Sequence, residues 1–529
     1  MKKFILTLLP GLCLATAFAQ QGWQHKDLAN DSLFGVSTQK AYELLKGKKS
    51  RTVLVAVIDS GIDSTHTDLQ PVLWQNPREK KNGKDDDRNG YTDDTYGWSF
   101  LGSANGNVQY DNSELTRLIR EGQKRFPNLD NLPADTNGLA LYKARRREWQ
   151  IRLVKAKQQL RGVTHARKVI DSILLTIGKP EPTREDILAF QPATMDLASM
   201  RTMILQGSKE YPSLSAYLDK EIKGAFEHFT AEVDYLLNPD YDPRASLVGD
   251  NYADVSETRY GTADAMGPGS SHGTHVAGII GAVRNNNLGL DGVADNVRIM
   301  SVRAVPDGDE RDKDVASAIR YAVDNGAQVI NMSFGKHYSP NKSLVDEAVK
   351  YAMKKDVLLV HAAGNDALNL DQEENYPNRI YADGSGKAEA WLEVGASGPK
   401  PGDHLPAGFS NYGRHTVDVF APGVGIWSSV PGSNYANMDG TSMAAPVVAG
   451  IAALIRSYFP RLSAVEVKEI IMESVVKYDG LVMPRNGSGP QKISFSELSI
   501  TGGVVNAGRA IELAISRSAK HKNAVSQTR

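Results

Sequence analysis

The sequence predicts an α/β protein whose doubly wound parallel sheet is interrupted by an all-α helical insertion. Short, continuous apolar runs at Val53–Ile58, Val297–Val302, Gln328–Met332 and Val357–Val360 are typical of parallel strands that are buried on both faces. Amphipathic helical patterns, such as Val315–Asn325, alternate with these runs. Strands and helices that alternate in this way build a doubly wound sheet.

A different pattern fills about 113–239, where apolar residues recur at helical spacing with polar residues between them. One such stripe consists of Leu214, Leu218, Ile222, Phe226, Phe229, Val233 and Leu237. We expect three or four amphipathic helices and no strand, because stripes this regular disfavour the alternative of a charged, disordered linker.

The N-terminus has the pattern of a signal peptide. Lys2 and Lys3 precede the almost wholly apolar run Phe4–Phe18, and Ala17 and Ala19 supply the small residues of a cleavage site. The alternative of a membrane anchor is disfavoured because the run is short for a bilayer and is broken by Pro10-Gly11. We therefore expect a protein exported to the periplasm, cell surface or medium, with no transmembrane segment in the mature chain.

These patterns together divide the chain into five segments. The predicted segments are a signal peptide at 1–19, the first part of the α/β domain at 20–112, the helical insertion at 113–239, the second part of the α/β domain at 240–515, and a polar, frayed tail at 516–529.

Composition excludes several classes of function. Lys and Arg number 61 against 62 Asp and Glu, so no global positive field exists to bind nucleic acid or to coat an anionic membrane. The single cysteine, Cys13, lies inside the predicted signal peptide, and the bulky Leu12 before it disfavours a lipoprotein anchor. The mature chain would then have no thiol nucleophile and no disulfide, and calcium is the usual substitute for a disulfide in an exported protein.

Three residues could form a nucleophilic site. Asp59 follows the first predicted strand, His272 begins a helical segment of small residues, and Ser442 begins another. A serine nucleophile needs a neighbouring base, a carboxylate that orients the base, and donors for the developing oxyanion. Taken singly, Asp59 could be a turn residue and Ser442 a helix cap, while His272 and His275 could bind a metal, although the pattern His-Glu-x-x-His is absent.

Two further strand exits carry candidate residues. Asn365 follows the strand at Val357–Val360 and could aim its amide at an oxyanion or simply form a turn. Ser333-Phe334-Gly335 follows the strand at Gln328–Met332, and its glycine would allow a substrate backbone to approach closely.

These segments resemble the motifs of the subtilases, the subtilisin-like serine peptidases. The resemblance covers roughly 35–93 and 247–513, and the motifs are Val57-Ile-Asp59-Ser-Gly, His272-Gly-Thr-His-Val-Ala-Gly, Ala362-Ala-Gly-Asn365 and Gly440-Thr-Ser442-Met-Ala-Ala-Pro, in the family's order. It implies a subtilisin-type sheet and a Ser442–His272–Asp59 triad. Asn365 would then bind the oxyanion, and Ser333, Phe334, Gly335 and Gly364 would bind the substrate.

The implied activity is that of a secreted endopeptidase acting on protein or peptide substrates without a catalytic cofactor. A non-catalytic binding protein on the same scaffold is disfavoured because the triad and Asn365 are complete. Transpeptidation would use the same acyl-enzyme and stays open.

The sequence departs from the family pattern in two places. Asp59 and His272 are 213 residues apart because the helical insertion lies between them. We expect this insertion to form a separate helical lobe that restricts access to extended or unfolded substrates; the alternative is a purely structural appendage. The roughly 33 residues between Gln20 and Val53 are too few for a folded propeptide.

A calcium loop is predicted at the front of the insertion. Asp85, Asp87, Asn89 and Asp93 take positions 1, 3, 5 and 9 of a loop with glycine at position 6, although Tyr96 replaces the usual Glu at position 12. The alternative is an acidic turn. Asp68 resembles a ligand of another subtilisin calcium site, and the loop 284–287 resembles its partner.

Overall fold

A computed structural model describes residues 21–128, 137–482 and 492–527. The predicted signal peptide, with Cys13, lies outside these residues. Packing divides the chain into two compact units. The α/β unit consists of Met1–Gln109, Arg244–Pro306 and Glu310–Arg529, and the helical unit consists of Tyr110–Pro243 and Asp307–Asp309.

The strands of the described residues all belong to the α/β unit. In chain order they are β1 (Val53–Asp59), β2 (Gly97–Ser99), β3 (Gly102–Ser103), β4 (Gly106–Asn107), β5 (Val297–Arg303), β6 (Val329–Met332), β7 (Leu358–Ala362), β8 (Trp391–Ser397), β9 (Val419–Pro422), β10 (Ile426–Val430), β11 (Asn434–Met438), β12 (Val476–Lys477), β13 (Leu481–Val482), β14 (Ile493–Ser494) and β15 (Gly503–Val504).

Nine of the strands in the described residues form one sheet, in the order β12-β15-β9-β8-β7-β6-β1-β5-β2. Every pairing in it is parallel except that of the edge strand β12 with β15. β1 lies between β5 and β6, so that Val57 is opposite Ser301 on one side and Asn331 on the other. Asp59, at the carboxyl end of β1, therefore lies beside the carboxyl ends of the neighbouring strands β5 and β6.

The helices in chain order are α1 (Leu28–Asp31), α2 (Thr38–Leu45), α3 (Glu114–Arg125), α4 (Leu139–Ile177), α5 (Arg184–Ala189), α6 (Met195–Gly207), α7 (Leu214–Tyr217), α8 (Gly224–Ala231), α9 (Arg244–Leu247), α10 (Ser271–Gly281), α11 (Asp312–Asp324), α12 (Lys342–Lys354), α13 (Thr441–Tyr458), α14 (Ala464–Glu473) and α15 (Ala507–Gln527).

The central sheet is buried on both faces. On β1, Val55 and Val57 face a core formed with α10 and α13, whereas Ala56 and Ile58 face a second core formed with α11 and α12. Strands buried on both sides need apolar residues at every position, which explains the continuous hydrophobic runs in the sequence. The predicted doubly wound α/β fold is confirmed.

The helical unit has cores of its own. Buried residues of α4, α5, α6 and α7, including Ile173 and Ile204, form one cluster, and α3 packs on the start of α4 through Ile119 and Tyr142. The stripe from Leu214 to Leu237 is helical throughout but contains π-helical turns at Leu218–Lys223 and Glu232–Leu236.

The first and last residues of the helical unit are joined by Arg120. Its Nε donates to the carbonyl oxygen of Pro239 at 2.7 Å, and its Nη1 lies 2.9 Å from a carboxylate oxygen of Asp242. The same guanidinium also donates to the side-chain oxygen of Asn112 and the carbonyl of Tyr241. The guanidinium of Arg120, on α3, thus contacts residues near both the start and the end of the helical unit.

The C-terminal part of the α/β unit contains the helices α14 and α15. The helix α14 begins with a reciprocal capping box formed by Ser463 and Glu466. The backbone of the polar tail is helical as far as Gln527, where α15 ends. The expectation that this tail frays stays a prediction.

One helix of the described residues, α13, is long and apolar enough to cross a membrane. However, 89% of its apolar span is buried inside the fold, where it packs against β6, β7 and β8. We therefore assign α13 to the core of the α/β unit.

Candidate active site

Asp59 and His272 are joined by a hydrogen bond at the carboxyl edge of the sheet. Asp59 ends β1 and is almost completely buried, and its Oδ1 accepts a hydrogen bond from Nδ1 of His272 at 2.7 Å. The same oxygen accepts the backbone N–H of Ser60, also at 2.7 Å. The carboxylate is therefore fixed from two sides, and the imidazole proton lies on Nδ1.

His272 can approach Asp59 because the next residue has no side chain. A Cβ atom at Gly273 would overlap the carbonyl oxygen of Gly61, in the turn that follows β1. The backbone N–H of Gly273 also donates to the hydroxyl of Ser60 at 3.3 Å. The first turn of α10 therefore packs directly on the Asp59 turn, while 38% of the His272 side chain stays exposed.

His275, one turn further along α10, has a different environment. It is fully buried, and its Nε2 donates to the carbonyl oxygen of Ala436 at 3.1 Å. Burial lowers the pKa of His275 to about 4, so that the ring is neutral at ordinary pH. His275 thus ties α10 to β11 as a structural residue.

Ser442 lies in the first turn of α13, next to the segment that follows β6. Its hydroxyl donates to the carbonyl oxygen of Ser333 at 3.1 Å, and the hydroxyl of Ser333 donates back to the carbonyl oxygen of Ser442 at 2.9 Å. Asn331 donates in turn to the Ser333 hydroxyl at 2.9 Å. The start of an 18-residue helix also places a partial positive charge at this point.

Asn365 is exposed and oriented by Thr441, a residue that sequence reasoning did not assign. The side-chain oxygen of Asn365 accepts hydrogen bonds from the backbone N–H of Thr441 at 2.9 Å and from its hydroxyl at 3.0 Å. The Thr441 hydroxyl also accepts the backbone N–H of Gly364 at 3.1 Å. With its oxygen held in this way, Asn365 presents its NH₂ group as the donor. The only sequence signal was the position of Thr441 directly before Ser442.

The turn that carries Gly364 and Asn365 is braced by two asparagines. Asn411 and Asn375 both donate to the carbonyl oxygen of Ala363, at 2.8 and 3.1 Å. Gly364 has a φ of +102°, and a Cβ there would lie 2.5 Å from the amide nitrogen of Asn411. Glycine is thus required at this position.

The predicted substrate segment lies on the neighbouring strand. Ser333 and Gly335 follow β6, and a Cβ at Gly335 would lie 2.8 Å from the side-chain oxygen of Asn375. Phe334 is mostly buried, with its ring edge-on to that of His361. The structure therefore brings the segment 333–335 next to both Ser442 and the Gly364 turn.

Residues 50–495 match the model of the subtilase family. The chain belongs to this family. A thermophilic serine proteinase from Bacillus sp. (strain AK1) is 42% identical over 212 residues, which are 40% of this chain and 48% of that protein. Subtilisin BL from Lederbergia lenta is 39% identical over 201 residues, which are 38% of this chain and 68% of that protein.

A solved protease from Pseudoalteromonas arctica PAMC 21717 is similar to this subtilase with a TM-score of 0.47 and 20% identity, over 94% of this chain and 98% of that chain. The chain spans about half the length, 48%, of the Bacillus proteinase.

The acidic loop of this subtilase gathers a somewhat different set of carboxylates from the predicted one. Oxygens of Glu79, Asp85 and Asp87 lie within 4.8 Å of one another, whereas Asp93 accepts the backbone N–H groups of Asn82 and Gly83. Sequence reasoning missed Glu79 because it precedes the loop pattern. Three carboxylates this close are a donor set suited to a hard cation such as calcium.

The remaining oxygen ligands of the prediction are engaged within the protein. The amide of Asn89 donates to Asp94 at 3.1 Å, and its oxygen accepts the N–H of Tyr91 at 2.7 Å. Asp68 is buried and accepts the amide N–H of Asn286 at 2.7 Å. The structure thus places Asp68 beside the loop 284–287. However, the group of Asn286 that contacts Asp68 is an N–H donor and not an oxygen that could bind calcium.

Proposed function

We propose that this subtilase is a secreted serine endopeptidase that hydrolyses peptide bonds through an acyl-enzyme on Ser442. The observation that carries the proposal is the 2.7 Å hydrogen bond from Nδ1 of His272 to the buried carboxylate of Asp59. A neutral imidazole that donates from Nδ1 has its lone pair on Nε2, and this is the atom that a general base needs.

In the proposed reaction, the Ser442 oxygen attacks the carbonyl carbon of the substrate while His272 takes the hydroxyl proton. The tetrahedral intermediate collapses by breaking the C–N bond, and His272 gives the proton to the leaving amine. Water then repeats the sequence on the ester and releases the acid and Ser442. Asp59 holds the ring orientation and stabilises the imidazolium that forms in each half-reaction.

The oxyanion would be bound by two donors. One is the NH₂ group of Asn365, whose oxygen is held by Thr441, and the other is the backbone N–H of Ser442 in the first turn of α13. Such donors are oriented before the reaction, and the loss of one side-chain donor costs about 10²–10³ in kcat, a value measured in the subtilisin family itself.

Substrate would bind as an extended strand along Ser333, Phe334 and Gly335, beside the turn that carries Gly364. An extended protein or peptide segment provides the main-chain groups that such pairing needs. The expectation that the insertion at 113–239 restricts access to such substrates stays a prediction.

We also propose export through the signal peptide at 1–19, and a structural calcium ion held by Glu79, Asp85 and Asp87. The ion would have no part in the chemical step, because its donors stabilise the acidic loop between β1 and β2. Bound calcium would reduce the mutual repulsion of these carboxylates.

A peptide library tests the proposed activity. Purified protein should cleave internal peptide bonds, and a matched Ser442→Ala preparation should leave the library intact. Cleavage by both preparations, or by neither when the wild-type protein is folded, would contradict the proposal.

A further inference from the structure

The helix α4 concentrates positive charge that the rest of the chain lacks. Its 39 residues include ten Lys and Arg and two acidic residues, Glu148 and Asp171. The helix therefore has a formal charge of +8 in a chain whose net charge is −1, and the remaining residues together carry −9. A separation of charge of this size favours binding of α4 to an anionic partner.

Several cations on the exposed side of α4 have no carboxylate partner among the described residues. Lys143, Arg147, Lys155 and Arg161 are exposed and form no ion pair within the described part of the chain. By contrast, Arg152 pairs with Glu148 at 2.8 Å, one turn away. Like charges one turn apart repel each other on a helix. An external anion that binds these exposed cations of α4 would therefore stabilise the helix.

Two aliphatic side chains lie exposed among these cations. Ile151 is 62% exposed and Val154 is 56% exposed. The α4 basic face, as we call it, is the shallow depression lined by Arg147, Gln150, Ile151, Val154, Lys155 and Gln158. Most of its members are three or four residues apart and so share one side of the helix.

We propose that the α4 basic face docks on an anionic lipid surface. Lys and Arg would contact the phosphates of the headgroups, and Ile151 and Val154 would enter the boundary with the acyl chains. A second copy of the chain fits less well, because two basic faces would repel each other. A nucleic acid would engage the cations but gains little from exposed Ile and Val. A lipid surface uses both properties of the face.

Vesicle flotation tests the proposal with the full-length chain, carrying Ser442→Ala to prevent self-digestion. We expect the protein to float with vesicles of equal parts phosphatidylcholine and phosphatidylglycerol at low salt, and to stay behind with phosphatidylcholine alone. High salt should release it, because screening weakens the phosphate contacts.

Variants locate the contact. Arg147→Glu with Lys155→Glu should weaken vesicle binding about tenfold or more, and Ile151→Ser with Val154→Ser should weaken it while leaving its dependence on salt unchanged. Lys46→Glu with Lys49→Glu makes the same change in net charge at exposed residues of the α/β unit and should bind as the parent does. Far-UV circular dichroism confirms that each variant is folded.

Several results would overturn the proposal. These are absence of binding to anionic vesicles, equal binding to neutral vesicles, and equal losses in the α4 and control variants. Tighter retention of a duplex DNA oligonucleotide than of vesicles would assign the face to nucleic acid instead. Dimerisation in sedimentation that the Ile151→Ser and Val154→Ser changes abolish would assign it to a second copy.

Discussion

Thr441 holds the side-chain oxygen of Asn365 through two hydrogen bonds, one from its backbone N–H at 2.9 Å and one from its hydroxyl at 3.0 Å. Because Thr441 directly precedes Ser442 in α13, the serine and the proposed oxyanion donor are positioned by the same turn of helix. The hydroxyl of Thr441 also accepts the N–H of Gly364, so it links three parts of the site.

Replacement of Thr441 by Val should lower kcat about tenfold with little change in KM, because Asn365 would lose one of the bonds that orient its NH₂ group toward the oxyanion. Steady-state kinetics on a chromogenic peptide measure both constants. Thr441→Ser keeps the hydroxyl and should retain most of the activity. If Thr441→Val and Thr441→Ser were equally active, the hydroxyl would have no orienting role.

The acidic loop should make stability depend on calcium. Ligand that binds only the native state adds RT ln(1 + [L]/Kd), about 2.7 kcal/mol at a hundredfold excess over Kd. We therefore expect millimolar calcium to raise the Tm of the Ser442→Ala protein and chelator to lower it. Glu79→Gln should reduce this difference, because Glu79 lies with Asp85 and Asp87.

Glu181→Gln provides the matched control for Glu79→Gln, since Glu181 is exposed and lies in the helical unit. Its Tm should respond to calcium as the parent does. An identical Tm in calcium and in chelator for the parent protein would remove the case for this ion.

The buried His275 should make the protein less stable in acid. Its pKa is lowered to about 4 by burial, while the unfolded chain has the ordinary histidine value of about 6.5. Between these values the unfolded state binds the extra proton. Stability is therefore complete above about pH 6.5 and falls as the pH drops, by up to about 1.4 kcal/mol per pH unit.

Chemical denaturation of the Ser442→Ala protein at several pH values between about 4 and 7 measures this slope. The substitution His275→Gln can keep the donor to the Ala436 carbonyl and removes the titrating group. The free energy of unfolding of this variant should therefore depend less on pH, by up to about 1.4 kcal/mol per pH unit, which corresponds to one proton. Equal slopes for the two proteins would show that His275 is not the responsible group.

Arg120 should stabilise the helical unit. Arg120→Ala removes the donor to the Pro239 carbonyl and the partner of Asp242, which costs about 1–3 kcal/mol when the acceptors stay desolvated. Faster hydrogen exchange in α3 would report this loss. Arg152→Ala, which breaks an exposed pair with Glu148, should change exchange far less. Unchanged exchange in Arg120→Ala would contradict the role of Arg120.

Much of the fold could be predicted because its signals are local. The run Val53–Ile58 is apolar at every position because β1 is buried on both faces. The cap of α14 is a local pattern too, since Ser463 and Glu466 are three residues apart. The edge strands β2 and β12 could not be predicted, because two or three residues carry no periodic pattern.

The residues of the candidate site also differ in whether a local sequence pattern identifies them. Asp59, His272, Asn365 and Ser442 stand in recognisable local motifs, so that sequence alone could nominate them. Glu79 could not be found because it precedes the loop pattern. Thr441 and Asn411 could not be found because their partners are set by tertiary packing: Asn411, for instance, reaches the carbonyl of Ala363 across 48 residues. Asp93 fits the spacing of a calcium loop, yet its carboxylate accepts the N–H groups of Asn82 and Gly83.

Labelling with a serine-directed phosphonofluoridate tests the proposed nucleophile most directly, because the reagent reacts with a serine that a neighbouring base has activated. Mass spectrometry of the digested, labelled protein should find one phosphonylated residue, Ser442, with loss of peptidase activity in proportion. Ser442→Ala should take up no label and have no activity, while His272→Ala should be labelled very slowly. Labelling at another serine, or undiminished peptidase activity in Ser442→Ala, would contradict the assignment of Ser442, His272 and Asp59 as the catalytic triad.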